Sequence, residues 1–379
     1  MLYFPYSKVL LRVRKIFSAI FFWLSFFAPA HIIGWLEEKH KAESSVRYCN
    51  TGGPMEIREE KIEDLSFLSD EKTFLDIESS GLHPERSYLL MAGTLKNSSK
   101  GGFLRQIYLT SKDPSEEKSL LQALFMDSFS SCVTFNGAFF DLPFLKVRTK
   151  KNQLTFPFTD IANEDLYLWL RERKKFFSFP SLKLENLAEA AGFERKGHLS
   201  GKGASAAASS MDQKEVQEAL LLHNKEDLLS LAYLYRMTRD LKKSLTLIPS
   251  CGPLMGVPLE LQRAWIEKDF GYGEFSFSSL PSNQLNSEKR PALFPVNQKG
   301  AFSSSFGDIS WTEGQLTLRI NVYPASTGKK EVFLAAFPQP ISDASPYSLK
   351  APLFVFGDRE RFYFENILSL VKLLLESYQ

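Results

Sequence analysis

Between residues 72 and 110 three apolar-rich runs follow one another with only tight-turn residues between them. This meander constrains the fold more than any other feature. Thr73-Phe74-Leu75-Asp76-Ile77-Glu78 reads as a strand that stops at Ser79-Ser80-Gly81. Tyr88 to Thr94 and Phe103 to Thr110 read as the next two, with Lys100-Gly101-Gly102 as the turn between them. Downstream the pattern changes to alternation. Glu116 to Asp127 has helical spacing, Cys132 to Asn136 is a short apolar strand stopped by Gly137, and Ile161 to Glu172 and Leu184 to Ala191 read as helices. Gly197 to Ser210, rich in Gly, Ser and Ala, is expected to be a mobile loop. Asp212 to Met237 has the apolar stripe of a long amphipathic helix. A meander followed by strand and helix in turn predicts a mixed α/β domain over about 70–240. The acidic stretch from Met55 to Asp70 is expected to be helical and to open that domain, giving it bounds of 55–240.

The two ends differ from this middle. Pro, Ser, Gly and Asn are frequent from Pro249 to Asn297, so 241–297 reads as a linker. Phe302 to Trp311, Gln315 to Val322 and Glu331 to Phe337 read as strands, and Leu353 to Phe356 as a fourth. Arg359 to Tyr378 closes the chain as an apolar-striped helix, so 298–379 is expected to be a small α+β appendage of unknown role. At the other end, Ile16 to Leu36 contains no Asp, Glu, Lys or Arg and follows Lys8, Arg12, Arg14 and Lys15. Residues 1–54 therefore fit a membrane anchor through 16–36, a signal peptide ending near Ala28-Pro29-Ala30, or an extension outside the working protein.

Composition bounds the rest. Of 379 residues, 44% are hydrophobic and 24% charged, which excludes a wholly disordered chain, a coiled coil and a collagen-like fibre. The net charge of +2 gives no global footprint for nucleic acid, although a local basic face fits within a neutral total. Cys49, Cys132 and Cys251 stand far apart with no CxxC, which argues against a disulfide framework and a structural zinc site.

Carboxylates in three places carry the chemistry. Asp76 and Glu78 are two apart on a strand, so both point to one face while Leu75 and Ile77 point to the other. Two adjacent carboxylates on a sheet face are costly unless solvated or holding cations, and hard divalent cations take such oxygen ligands. Surface alternation alone also produces Asp-x-Glu. In Thr134-Phe135-Asn136-Gly137-Ala138-Phe139-Phe140-Asp141, a strand ends at Asn136-Gly137 and Asp141 follows about one helical turn later. A helix-capping Asp is the plainer reading there. His223 and Asp227 lie four apart on the long helix and share a face, which an ordinary surface pair would also do.

Together these pieces resemble the three exonuclease motifs of the DEDD (DnaQ-like) superfamily, which has the ribonuclease-H-like fold. DIESSGL at 76–82, TFNGAFFDLPFL at 134–145 and HNKEDLLSLAYL at 223–234 are most similar to its YprB-like branch, and the likeness runs from Lys72 to about Asp240. The resemblance implies a ribonuclease-H-like mixed sheet flanked by helices. It implies a metal-dependent 3′–5′ exonuclease on single-stranded DNA or RNA, using two Mg²⁺ or Mn²⁺ ions. Asp76, Glu78, Asp141 and Asp227 would be the ligands, with Asp76 bridging, and His223 would orient or deprotonate the attacking water. Asn136 would hold the substrate backbone or brace its motif. Ser79, Gly81 and Leu82 would lie at the terminal nucleotide, with Leu82 and Phe140 as stacking surfaces. Phe139 and Phe144 are expected in the core. Two departures stand out. His223 replaces the Tyr of one form of motif three, and the loop HLSGKGASAAASS lacks the branch's Pro-Gly and Ile-Pro elements. An endonuclease on the same fold and a non-catalytic nucleic-acid-binding module are the rival readings. The expected setting is the cytoplasm, or a membrane surface if 16–36 is an anchor.

Two basic runs suit a strand path. Lys146, Arg148, Lys150 and Lys151 follow the second motif, and Arg171, Arg173, Lys174 and Lys175 are interleaved with Phe176 and Phe177. A solvated helix face is the alternative. Gly197 to Gly203 is one residue short of a phosphate loop, with Lys202 followed by Gly, and is rejected as one. His31, His40, His83 and His198 form no ligand cluster.

Overall fold

The meander forms as its pattern requires. In the computed structural model, β3 (Lys72–Ser79), β4 (Leu89–Ser98) and β5 (Gly101–Leu109) pair antiparallel in sequence. Next to β3 lie β6 (Ser131–Thr134) and β7 (Ala162–Asp165), both parallel to it. On the far side, β2 (Met55–Ile62) pairs with β5, and β1 (Val46–Asn50) pairs with β2, giving the order β1-β2-β5-β4-β3-β6-β7. The structure describes residues 46–50, 55–62, 65–68, 72–98, 101–111, 113–127, 129–197, 199, 201–277, 299–327, 330–339 and 341–377. The apolar segment 16–36 lies outside them. Among the described residues no helix is long and apolar enough to cross a membrane.

The period-two alternation of β3 sorts its side chains between two helical layers. Leu75 and Ile77 pack with Leu120, Leu121 and Leu124 of α1 (Glu117–Phe125) and with Phe144 and Leu145 of α2 (Asp141–Lys151). Phe74 faces the other way, against Leu166 and Leu170 of α3 (Leu166–Glu172), Leu187 of α4 (Leu184–Ala190) and Leu228 and Leu231 of a long helix over Lys214–Ser244. Each fully buried Leu or Phe contributes roughly 1.5–3 kcal/mol. By the same alternation Asp76 and Glu78 face the long helix. The layers are those of the mixed α/β, ribonuclease-H-like architecture expected from the sequence.

Several local expectations are corrected: Ala162–Asp165 is a strand and not the start of a helix, and Phe302 to Trp311 is split between two strands. Met55–Ile62 is a strand, not a helix. Met55 and Ile57 face α1 and α2, while Glu60, on the opposite face, meets Lys225 Nζ at 2.5 Å, and Arg58 bonds Glu218 at 3.1 Å. Ion pairs with the long helix thus cover a charged strand face. Within Gly197–Ser210, α5 (Gly201–Ala206) and a 3₁₀ turn (Ala207–Ser210) replace the expected loop. Ala204 and Ala207 pack with Met91, Tyr108 and Leu220 because small side chains permit the close approach. The long helix, α6 (Lys214–Ser244), runs two turns beyond Met237.

Within the stretch read as a linker, β8 (Thr246–Leu247), β9 (Leu259–Glu267) and β10 (Phe270–Ser276) are paired strands. They join β11 (Gly300–Ser303), β12 (Gly307–Thr312) and β13 (Gln315–Asn321) in a six-stranded sheet ordered β11-β12-β13-β10-β9-β8. Lys268 in the left-handed region turns the β9–β10 hairpin. A second sheet, β14 (Tyr323–Thr327), β15 (Lys330–Ala336) and β16 (Leu353–Asp358), precedes α7 (Phe364–Glu376). A core shared by both sheets and α7 buries Phe275, Leu318, Phe356, Ile367 and Leu370 together with Phe176 from the segment after α3, and a smaller cluster joins Ala325 to Val332, Val355 and Tyr363.

Candidate active site

Each of the three motifs is held by a specific device. β3 presents Asp76 and Glu78 on one face. β6 pairs with β3 only where Val133 opposes Phe74, so the N–H of Ile77 is left for another acceptor. Asp141, at the first turn of α2, supplies it, with Oδ1 at 3.2 Å from Ile77 N. The third carboxylate is therefore tied to the backbone between the first two. The turn leading to it depends on Asn136 at φ +64° and on Asp165, which caps α3. Asp165 accepts the N–H groups of Asn136 (2.9 Å) and Ala138 (3.0 Å).

α6 brings the last motif over this face. His223 Nε2 lies 3.5 Å from Glu78 Oε1 and 3.5 Å from Asp227 Oδ2. One ligand atom each of Glu78, His223 and Asp227 lie within 4.8 Å of one another. Asn224, fully buried, donates from Nδ2 to Asp76 Oδ2 at 2.8 Å. Its own Oδ1 accepts from Gln106 Nε2 at 3.0 Å, and Gln106 also donates to Leu221 O at 2.8 Å. A Cβ at Gly93 would collide with Asn224 Oδ1, so the approach of α6 to β4 needs glycine there. Arg195 reaches in from the segment after α4. It donates from Nη1 to Asp227 Oδ1, and Nη2 lies 3.0 Å from His223 Nδ1. Its Nε is 3.6 Å from Glu226, which also accepts the N–H of Lys196 (2.6 Å) and of Gly197 (2.9 Å).

Asn224, Gln106 and Arg195 are the residues that motif reasoning missed. Gln106 carried a signal, because it is a polar residue between Leu104 and Tyr108 on an apolar strand face. Asn224 was inside the third motif but was masked by the flanking charged residues. Arg195 carried none, since Glu194-Arg195-Lys196 reads as an ordinary charged turn.

Crowding sets the electrostatics. Burial pushes the Asp76 and Glu78 carboxyls well above the usual range, and Asp227 and Asp141 push both further. Asp141 is raised to about 7, by burial first and then by Asp165 and Asp227, against the pull of two backbone donors. Asp227 is raised by burial in spite of His223 and Arg195. Burial lowers His223, and Arg195 lowers it further, against the attraction of Asp227. Four carboxyls thus act on one another beside one guanidinium, with Glu78 and Asp227 grouped around His223 and with Asp76 and Asp141 outside that group. Oxygen donors crowded in this way fit hard divalent cations of the Mg²⁺ or Mn²⁺ kind.

The expected substrate contacts divide. Leu82 is 74% exposed, and Phe140 is half-buried against Phe144. Ser79 is buried and its hydroxyl donates to Gly81 O at 2.9 Å, so it braces the turn. Asn136 is half-buried at its left-handed turn. Phe144 is in the core as expected, whereas Phe139 is 64% exposed under the guanidinium of Arg171. Of the basic residues, Arg148 is bound to Glu117 at 2.7 Å and Arg173 is buried against Glu260 and Trp169, so both are structural. Phe176 is buried in the C-terminal core. Lys146 and Lys150 are exposed. Lys174, Lys175, Phe177 and Phe179 line a crevice of about 350 Å³ together with Arg361 and Tyr363.

The family model described as RNase_H superfamily matches residues 73–239, the span that carries all three motifs. Among solved structures, the family B DNA polymerase from the archaeon Pyrobaculum calidifontis is similar at 16% identity and a TM-score of 0.37, over 46% of this chain and 25% of the polymerase. E. coli Exonuclease I in complex with a dT13 oligonucleotide is similar at 13% identity and a TM-score of 0.32, over 58% of this chain and 57% of the exonuclease. The chain thus spans a quarter of the first and somewhat over half of the second. No curated protein matches it.

Proposed function

We propose that this chain is a metal-dependent nuclease that hydrolyses phosphodiester bonds, working as a 3′–5′ exonuclease on single-stranded DNA or RNA. The observation that carries the reading is the convergence of Asp76, Glu78, Asp141 and Asp227 from three separated segments, each raised by burial first, with Asp227 and Asp141 adding to the shift of Asp76 and Glu78. Buried carboxyls that raise one another's pKa mark a candidate site. These four residues would hold two divalent cations, which when bound neutralise the phosphate, activate a water and stabilise the leaving oxygen.

The other residues keep the ligands aimed. Ile77 N–H holds Asp141, Asn224 holds Asp76, and Arg195 holds Asp227. His223 stands between Glu78 and Asp227, where it would orient the attacking water. Leu82, Phe140 and Phe139 offer apolar faces on which terminal bases would stack. End-directed cutting is supported by the resemblance of the three motifs.

The test is digestion of 5′-labelled single-stranded DNA and RNA with Mg²⁺ or Mn²⁺, comparing wild type with Asp141→Ala. A metal-dependent ladder reduced roughly 10³-fold or more in the variant is expected. A few fixed bands would favour an endonuclease. Tight binding without cleavage, unchanged by Asp76→Ala, would overturn the catalytic reading in favour of a binding module.

A further inference from the structure

A neutral imidazole has one nitrogen that donates and one that accepts, and the partners decide which is which. Arginine is always protonated and carries no acceptor, so Arg195 Nη2 can only donate. Facing it at 3.0 Å, His223 Nδ1 must accept. The other nitrogen, Nε2, faces Glu78 Oε1 and Asp227 Oδ2, each at 3.5 Å, carboxyl oxygens that accept when ionised. A neutral ring that accepts at Nδ1 carries its proton on Nε2, so the guanidinium sets the arrangement. The imidazole is buried, at 7% exposure, and these partners come from three separate segments of the chain, so the ring cannot turn over without losing all of them.

We propose that Arg195 is a positioning residue that fixes His223 as the neutral tautomer with its proton on Nε2, so that His223 acts as a hydrogen-bond donor among the carboxylates and not as a metal ligand or proton acceptor. The only lone pair of the ring lies under the guanidinium. A cation entering the cluster then meets oxygen donors alone, although Glu78, His223 and Asp227 lie close enough together to form a mixed nitrogen–oxygen set. Such a set suits Zn²⁺, whereas oxygen donors alone suit Mg²⁺ and Mn²⁺. Arg195 in this way selects the class of ion. The consequence for the ion rests on the metal-dependent reading above. The tautomer does not, because it is a property of the metal-free protein.

The decisive measurement is long-range ¹H–¹⁵N correlation of the full chain labelled at histidine nitrogen and stripped with chelator. His223→Gln identifies the ring among the five histidines. The expected spectrum has Nδ1 in the unprotonated range and Nε2 in the N–H range. Arg195→Ala should shift Nδ1 toward the N–H range, and Arg195→Lys, which keeps one donor, should restore the wild-type pattern in part. A wild-type ring protonated on Nδ1, or on both nitrogens, overturns the proposal without reference to any variant. So does an Arg195→Ala spectrum with the wild-type pattern. Calorimetry reads the consequence. The ratio of Zn²⁺ to Mn²⁺ affinity should rise about tenfold or more in Arg195→Ala, and an unchanged ratio would overturn the selection of the ion. If no polymer is cleaved under any condition, the nuclease reading fails while the tautomer result stands.

Discussion

Asp343 and Asp141 are both carboxylates drawn into the protein, and their surroundings treat them in opposite ways. Asp343, ahead of β16, accepts hydrogen bonds from the Ser345 hydroxyl (2.6 Å), Asn366 Nδ2 (2.7 Å) and the N–H groups of Leu349 (2.9 Å), Ser345 (3.2 Å) and Val355 (3.3 Å). Burial pulls its pKa up, but these donors, the Ser345 hydroxyl first, outweigh it and hold the group below its ordinary value. Asp141 sits among other acids with few donors and is pushed up to about 7. The first carboxylate completes a loop and asks for nothing more. The second belongs to a cluster that has one guanidinium for four carboxyls, and on the proposed reading bound cations would make up that deficit.

The largest expected effect comes from removing whatever relieves that deficit. A carboxyl whose pKa is higher in the folded protein keeps a proton that the unfolded chain has released. Stability is then greatest at low pH and falls as pH rises from the ordinary carboxylate value toward about 7. Asp76, Glu78 and Asp227 act in the same sense, and His223, whose pKa is lowered, opposes them as a single group. For Asp141 alone the loss is at most about 4 kcal/mol. Chelator-treated protein should therefore unfold at lower denaturant at pH 8 than at pH 5. Mn²⁺ added at pH 8 should restore it, and Asp141→Asn should flatten the profile. A flat profile for wild type would remove the contrast with Asp343.

The converse substitution is Asp343→Ala. It leaves several donors without their acceptor and should lower stability by about 2 kcal/mol, seen as a shift of the denaturation midpoint at constant slope. Because the folded pKa of Asp343 is depressed, its contribution is present above the ordinary carboxylate value and lost as pH falls through the folded one. Cleavage by the folded variant should match wild type. A variant of normal stability and impaired cleavage would place Asp343 in the function and end the comparison.

Much of the site was legible because its residues sit in patterns that few other demands produce. Asp76 and Glu78 interrupt an apolar strand, and His223 and Asp227 share a helix face. Their partners come from distant segments, with Gln106 on β5 and Arg195 in a turn after α4, and no local pattern encodes which turn will fold across which helix. The strand over Met55–Ile62 was misread for a related reason. Its charged residues look like a helix surface until Lys225 and Glu218 of α6 come over to pair with them. The hairpin of β9 and β10 was hidden by the Pro, Ser and Gly on both sides of it, although Leu259, Leu261 and Phe275 are buried.

The smallest expected effect asks whether the two regions share a substrate at all. Lys174, Lys175, Phe177 and Phe179 follow α3, whose Arg171 stands over the exposed Phe139, two residues before Asp141. The opposite wall, Arg361 and Tyr363, belongs to the C-terminal region. Of the crevice's acids, Asp358 already accepts the N–H groups of Glu360 (2.8 Å) and Arg361 (2.7 Å), so it is engaged in its own turn. Cations interleaved with aromatics along such a wall suit the phosphates and bases of a single strand. Lys174→Glu and Lys175→Glu, each an exposed side chain, should weaken binding of a long oligonucleotide by about three- to tenfold and lower the salt slope by about one for each lysine. Hydrolysis of an oligonucleotide too short to extend beyond the acids should be unaffected. Equal loss on short and long substrates would locate the effect at the acids. No loss on either would leave the C-terminal region a scaffold, whose half-buried Asp343 differs from Asp141 because it has only a fold to hold.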